Sequence, residues 1–279
     1  MIPSCGPSEF DMFWPSSDTS FMGHEIEYSV DGNVGTLLIN RPEARNALNW
    51  EAQQQFAQLV EQISKDPQLR ILIIIGEGDR AFASGGDLKE LVRFPDRSDG
   101  ERLTQIMGTA LNQLTHLSIP VVGAVNGDAI GGGCEILTAC DLRIASPHAQ
   151  FRFAQIHQAL TTGWGGSARL VRLIDQSRAA DLLMTGRSFS ATEALSIGFI
   201  HRIAKTEFPL LQAALEWAHE LQSLPKDTMS AIKKLIWASS QLTLPDAYSL
   251  ENQQFVDLWT HPDHREAVEA FIRKRKARH

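Results

Sequence analysis

Cysteine is scarce in this chain. Three occur in 279 residues, Cys5, Cys134 and Cys140, at no paired spacing. That pattern excludes a disulfide framework and a structural zinc site. Cys134 and Cys140 lie in an apolar stretch and are expected in the core. Positive charge is also in deficit: 26 Lys and Arg stand against 33 Asp and Glu, for a formal net charge of -7. Phosphate-backbone binding needs a basic face, so nucleic acid is not expected as a partner. The basic run Arg273 to Lys276 reads as a solvated helix end. No apolar run approaches membrane-spanning length. The N-terminus lacks a basic region followed by an apolar one, so no secretory signal is expected, and the expected location is cytoplasmic. H-E-x-x-H, Walker and G-x-S-x-G motifs are missing, and Gly131 to Gly133 do not complete G-x-G-x-x-G. Neither a bound metal nor a dinucleotide cofactor is therefore expected.

What remains is an ordinary globular composition, 43% hydrophobic and 21% charged, long enough to bury a sizeable core. Residues 1–22, with Pro3, Pro7 and Pro15, read as a loose leader. Ile26 to Val30 and Val34 to Ile39 flank Asp31-Gly32-Asn33, a hairpin signal. A polar loop from Asn40 ends at Asn49, which is placed to cap a helix carrying Phe56, Leu59, Val60 and Ile63 and stopping at Pro67. Leu69 to Ile75 is almost wholly apolar, the mark of a strand covered on both faces. Residues 95–100 read as a polar, flexible link before a helix over 101–116. Pro120 to Val125, Asp141 to Ala145, Gln150 to Phe153 and Phe199 to Ile203 read as strands. Helices are expected over 168–174, 178–185, 191–197, 207–222, 226–240, 245–259 and 264–278. Alternating strands and helices imply an α/β fold with a partly parallel sheet, followed by a helical tail. The expected division is a core over 23–205 and a helical region over 206–279.

The stretch Val122 to Glu135 runs from an apolar strand through a glycine-rich turn into a helix that opens on three glycines. It puts a free backbone N–H one helical turn from a carboxylate, near the positive end of a helix. A second such turn, Ala83 to Asp87, also opens a helix. Gly86 and Gly132 offer N–H groups with no Cβ in the way, the makings of an oxyanion hole if the two turns meet. Taken singly, each turn is better explained by tight turns and close helix packing. Glu135 stands in an otherwise apolar helix, where a carboxylate must be paired, hydrogen-bonded or functional. His157 is a weaker catalytic candidate.

Four motifs carry a resemblance. Asn40-Arg41-Pro42 with Asn46 to Asn49, Phe82 to Glu90, Gly131 to Glu135 with Cys140-Asp141, and Gly163 to Leu170 together resemble the enoyl-CoA hydratase/isomerase (crotonase) superfamily over about residues 24–279. The resemblance implies a spiral of ββα units, a C-terminal trimerisation region, and a homotrimer or dimer of trimers. It implies an acyl-CoA thioester as ligand, with coenzyme A as part of the substrate and no other cofactor. Its oxygen would be held by Gly86 and Gly132. Ser84, Gly86 and Leu88 would line the adenine end; Asp87 belongs to the same segment, and Lys89, Arg41 and Arg45 are weaker candidates for the phosphates. The second glutamate of the hydratases falls on Gln155, which hydrogen-bonds but does not titrate. Phe151-Arg152-Phe153 and Trp164-Gly165-Gly166 resemble the ethylmalonyl-CoA decarboxylase branch. The reading preferred on these residues is decarboxylation of a short branched malonyl-CoA through a thioester enolate. Gln155 or His157 would touch the substrate carboxylate or relay a proton, and Arg152 is a further anion partner, though strand alternation sets it opposite Gln155. The alternatives are hydration using Glu135, and an acyl-CoA-binding protein without catalysis.

Overall fold

The computed structural model describes residues 25–205 and 209–276; the leader expected over 1–22 lies outside them. The chain divides after Leu221 into two compact units.

The first unit is built on two sheets. Strands β1 (Ile26–Asp31) and β2 (Val34–Ile39) form the expected antiparallel hairpin. Helix α1 (Trp50–Ser64) follows, with the Asn49 side chain accepting from Ala52 N. Next come β3 (Ile71–Gly76), β4 (Ala81–Ala83), α2 (Leu88–Leu91), α3 (Arg97–Thr115), β5 (Val121–Val125), β6 (Asp128–Ile130), α4 (Gly132–Ala139), β7 (Leu142–Ala145) and β8 (Gln150–Arg152). A 3-10 turn over Ala154–Gln158 leads to α5 (Gly166–Ile174), α6 (Gln176–Thr185), β9 (Ser188–Ser190), α7 (Ala191–Ser196), β10 (Arg202–Ile203) and α8 (Leu210–Gln222).

One sheet has the order β1-β2-β3-β5-β7-β10, parallel except for the hairpin; the other has the order β4-β6-β8-β9. From β3 to β8 the chain lays successive strands alternately in the two sheets, with helices between them. That alternation is the ββα spiral expected from the resemblance.

The apolar run in β3 is explained by two cores. Leu72 and Ile74 face one cluster with Leu37, Phe56 and Leu111. Ile71, Ile73 and Ile75 face another with Leu38, Val122 and the α8 residues Leu210, Ala214 and Trp217. A period of two along the strand divides its side chains between faces that are both covered.

Several expectations are corrected. Residues 95–100 are not a flexible link. Helix α3 already begins at Arg97, because Asp96 and Asp99 form a capping box. Strands β6 and β9 were not expected; both are three residues long and exist through their pairing with β4 and β8. The strand expected over 199–203 shrinks to Arg202–Ile203. The N–H groups of Phe199 and Ile200 both bond to Ala194 O, and the Phe199 ring packs on Phe151, Phe153 and Phe189. Strand β8 ends at Arg152, so Gln155 lies in the 3-10 turn and strand alternation does not govern its face.

The second unit consists of α9 (Lys226–Ser239), α10 (Leu244–Trp259) and α11 (Pro262–Lys276). Thr243 caps α10 through Asp246 N. Its helices leave Ile236, Phe255, Trp259 and Phe271 largely exposed. No described helix is long and apolar enough to cross a membrane.

Candidate functional site

The two glycine turns meet. Strands β4 and β6 are parallel neighbours, and the turns that leave them are stacked. Gly85 has φ +83°, and a Cβ built there would lie 2.7 Å from Gly132 N. A Cβ at Gly133 would overlap Ala83 O. Glycine is required here for close approach, and at Gly131, with φ +55°, for backbone conformation. Among the described residues, neither the Gly86 N–H nor the Gly132 N–H donates to an acceptor in the chain. The N–H of Gly132, the first residue of α4, is the kind of orphan donor that a helix start leaves behind, and Gly86 lies just before the Asp87 cap of α2.

The loop from Asn40 supports this pair from one side. Arg45 and Asn46 both adopt the left-handed conformation. The buried Asn46 amide donates to Glu77 O and Ala81 O and accepts from Arg41 N. That pins Leu48 beside Gly86, with Leu48 N donating to Gly85 O and Asp87 N to Leu48 O.

Glu135 is buried, 2% exposed, yet it is not a lone acid. Its Oε2 accepts from Trp164 N at 2.8 Å and Gly166 N at 2.9 Å. Its Oε1 accepts from Gln155 Nε2 at 2.9 Å and Gly163 N at 3.3 Å. Burial pushes its pKa up from the usual carboxylate range, and the hydrogen bonds oppose that rise. Gln155 Oε1 is buried and has no hydrogen-bond partner among the described residues. Trp164 is nearly enclosed, and its ring lies where a Cβ on Gly132 would go.

Gly86, Gly132, Glu135 and Gln155 are thus gathered within two stacked turns and the loop over them. The remaining candidates follow the first turn and its supporting loop. Ser84 Oγ donates to Arg45 O at 2.6 Å. Arg45 pairs with Asp128 at 2.7 Å. Asp87 caps α2 by accepting from Lys89 N and pairs with Arg41, which also pairs with Glu25. Leu88 is half exposed and Lys89 is exposed. Arg41 is therefore held by two carboxylates and is poorly placed to serve a phosphate.

Two candidates are corrected. His157 Nε2 donates to Gly186 O at 3.1 Å, and Arg152 Nε donates to the same oxygen at 2.7 Å. Both cap one carbonyl and neither reaches Glu135. Sequence reasoning missed the donors that hold Glu135. The turn 163–166 was read as a motif, but a backbone N–H leaves no trace in a sequence beyond the glycines that let it approach. Thr138 and Arg169, which stand behind Glu135, were also missed.

A ββα spiral with two unpartnered N–H groups beside a buried carboxylate defines a crotonase-type enzyme fold. The model of the family described as enoyl-CoA hydratase/isomerase matches residues 29–279. The short-chain-enoyl-CoA hydratase of Clostridium acetobutylicum is 32% identical over 246 residues, covering 88% of this chain and 94% of that protein. The mitochondrial enoyl-CoA hydratase of Pongo abelii is 33% identical over 263 residues, covering 91% and 88%. An enoyl-CoA hydratase structure from Bacillus anthracis superposes with a TM-score of 0.85 at 29% identity, covering 90% of this chain and 97% of that one. The chain belongs to the enoyl-CoA hydratase/isomerase family.

Proposed function

We propose that this protein hydrates a short enoyl-CoA, with Glu135 as its single proton-transferring carboxylate. The observation that carries this reading is the pair of free N–H groups at Gly86 and Gly132 beside a buried, hydrogen-bonded acid. The thioester oxygen accepts from both donors, each worth ~3 kcal/mol as negative charge builds on that oxygen. Water adds through its oxygen to the β-carbon while the alkene electrons move onto the thioester as an enolate. The water proton passes to Glu135, and a proton returns from Glu135 to the α-carbon, so the net addition is one H and one OH. Gln155 positions the water and takes no proton. Ser84, Asp87, Leu88, Lys89 and Arg45 belong to the coenzyme A side of the site in this reading. The hydratase names of the relatives support it over the decarboxylation preferred from the sequence.

Gln155 favours decarboxylation as the second reading. A neutral amide tolerates a substrate carboxylate where a second glutamate would repel it. The carbon–carbon bond would break to release CO2, its electrons forming the same enolate, which is then protonated at the α-carbon. A homotrimer or dimer of trimers in the cytoplasm completes the proposal, supported by the exposed Phe255, Trp259 and Phe271 of the C-terminal helices.

The test is purified protein with crotonyl-CoA, methylmalonyl-CoA and ethylmalonyl-CoA. Hydration of crotonyl-CoA without CO2 release from the others is the expected result. CO2 release without hydration moves the assignment to the second reading. Tight binding of all three with no turnover sinks both and leaves a binding protein. Light scattering reads the subunit number, and a monomer removes the assembly from the proposal.

A further inference from the structure

Behind Glu135 lies a cation that the reaction above does not use. Arg169, near the start of α5, donates from Nε to Thr138 Oγ1 at 3.0 Å and from Nη2 to Trp164 O at 2.7 Å and Glu135 O at 3.4 Å. Thr138 Oγ1 in turn donates to Glu135 O at 2.6 Å. One guanidinium therefore grips both the helix that carries the acid and the turn that supplies its three N–H donors. The turn also closes over it: a Cβ at Gly165 would lie 2.8 Å from Nη1. No carboxylate side chain pairs with Arg169 among the described residues, and burial lowers its pKa against the opposing charge of Glu135. A half-buried cation spent on three oxygens around one acid is costly unless the alignment of that acid matters.

We infer that Arg169 is a positioning residue for proton transfer, locking the turn 163–166 to α4 so that the Glu135 carboxylate is held at one angle to the Gly86 and Gly132 donors. The inference rests on Glu135 being the proton-transfer group. A residue that only stabilised the fold would lower melting temperature without acting through Glu135.

The experiment compares R169Q, R169K, E135Q and the double variant E135Q/R169Q in crotonyl-CoA hydration. Misplacing a reacting group by about 1 Å costs up to ~100-fold, so R169Q is expected to lose roughly 30-fold in kcat with KM within about threefold. R169K, which keeps a donor cation, recovers most of the loss. The double variant is no slower than E135Q alone, because residues acting through one group are not additive. Wild-type kcat in R169Q, or fully additive losses in the double variant, overturns the inference. If the wild-type protein hydrates nothing, the proposed reaction falls by itself. Hydrogen exchange then decides on Arg169: the Trp164 and Gly166 amides must exchange about tenfold faster in R169Q while α3 is unchanged. Unchanged exchange in that turn overturns the lock.

Discussion

Two sets of backbone N–H groups surround Glu135 and are used in opposite ways. Gly163, Trp164 and Gly166 point into its carboxylate. Gly86 and Gly132 point at no acceptor in the described chain. Both sets arise alike, from glycine-bearing turns at or just before helix starts, where orphan donors collect. What separates them is where the chain's own anion goes. Glu135 lies in the first turn of α4, yet it reaches across to the turn before α5. A turn whose donors meet an internal anion becomes a fixture of the fold. A turn whose donors meet none is left for the oxygen of a ligand.

The largest effect is expected where one substitution breaks both sets. In Gly132→Ala the new methyl group meets the Trp164 ring. Trp164 is nearly enclosed, so relieving the clash is expected to shift this residue and with it the N–H that it donates to Glu135. The N–H at position 132 stays but is displaced by the clash; losing one oxyanion donor outright costs ~10²–10³-fold, so a loss approaching ~10³-fold in kcat/KM is expected, with a lowered melting temperature. Gly166→Ala should break only the occupied set, since its Cβ would lie 2.5 Å from Glu135 Cγ. A thioester still binds there while kcat falls. If both variants lose binding and turnover in the same proportion, the two sets are not separate devices.

Removing the occupant is the next test. Glu135→Ala turns the occupied set into a second free one. General acid–base catalysis contributes ~10²–10⁴-fold, so kcat should drop by at least ~10²-fold. Leaving buried donors unpaired costs ~1–3 kcal/mol in stability. Added formate, a small carboxylate, should raise the melting temperature of this variant more than that of the wild type. A variant with full activity would mean that Glu135 only shapes the pocket.

Gln155→Glu sharpens the contrast with a smaller change. It sets a second carboxyl beside Glu135, where the amide nitrogen now lies at 2.9 Å. Two carboxyl groups at that distance share a proton, so one is held protonated above the ordinary carboxylate range. Crotonyl-CoA hydration should rise about tenfold and its pH optimum should move up. A fall in hydration, with lost CO2 release, would favour decarboxylation as the native reaction.

The unequal legibility of the two sets has a physical basis. Gly86 and Gly132 were readable, because a glycine next to a helix start and an acid one turn on form a local pattern. The donors to Glu135 were not, because the contact spans 29 residues to Trp164 and depends on how α4 and α5 pack. The same division runs through the fold. The β1–β2 hairpin, the β3 run and the Asn49 cap follow from local period and capping. Strands β6 and β9 are too short to carry a period, and only their neighbours make them strands. The start of helix α3 is written in Asp96 and Asp99, but the polar composition there also fits a link.

The smallest effect concerns the charge of the occupant. Burial raises the Glu135 pKa while four donors pull it down, and the balance lies with burial. Between the ordinary carboxylate pKa and the raised one, the folded protein holds a proton that the unfolded chain has lost. Stability from this group is therefore full below the ordinary pKa, declines as pH rises, and levels off above the raised value. Urea unfolding of wild type and E135Q across that range isolates the term, since the other carboxyl groups cancel in the difference. The wild-type advantage should shrink as pH rises. A growing advantage would mean that the three backbone donors and Gln155 outweigh burial. The occupied set would then hold a carboxylate too stable to take up a proton readily, and proton transfer would have to be sought elsewhere than at Glu135.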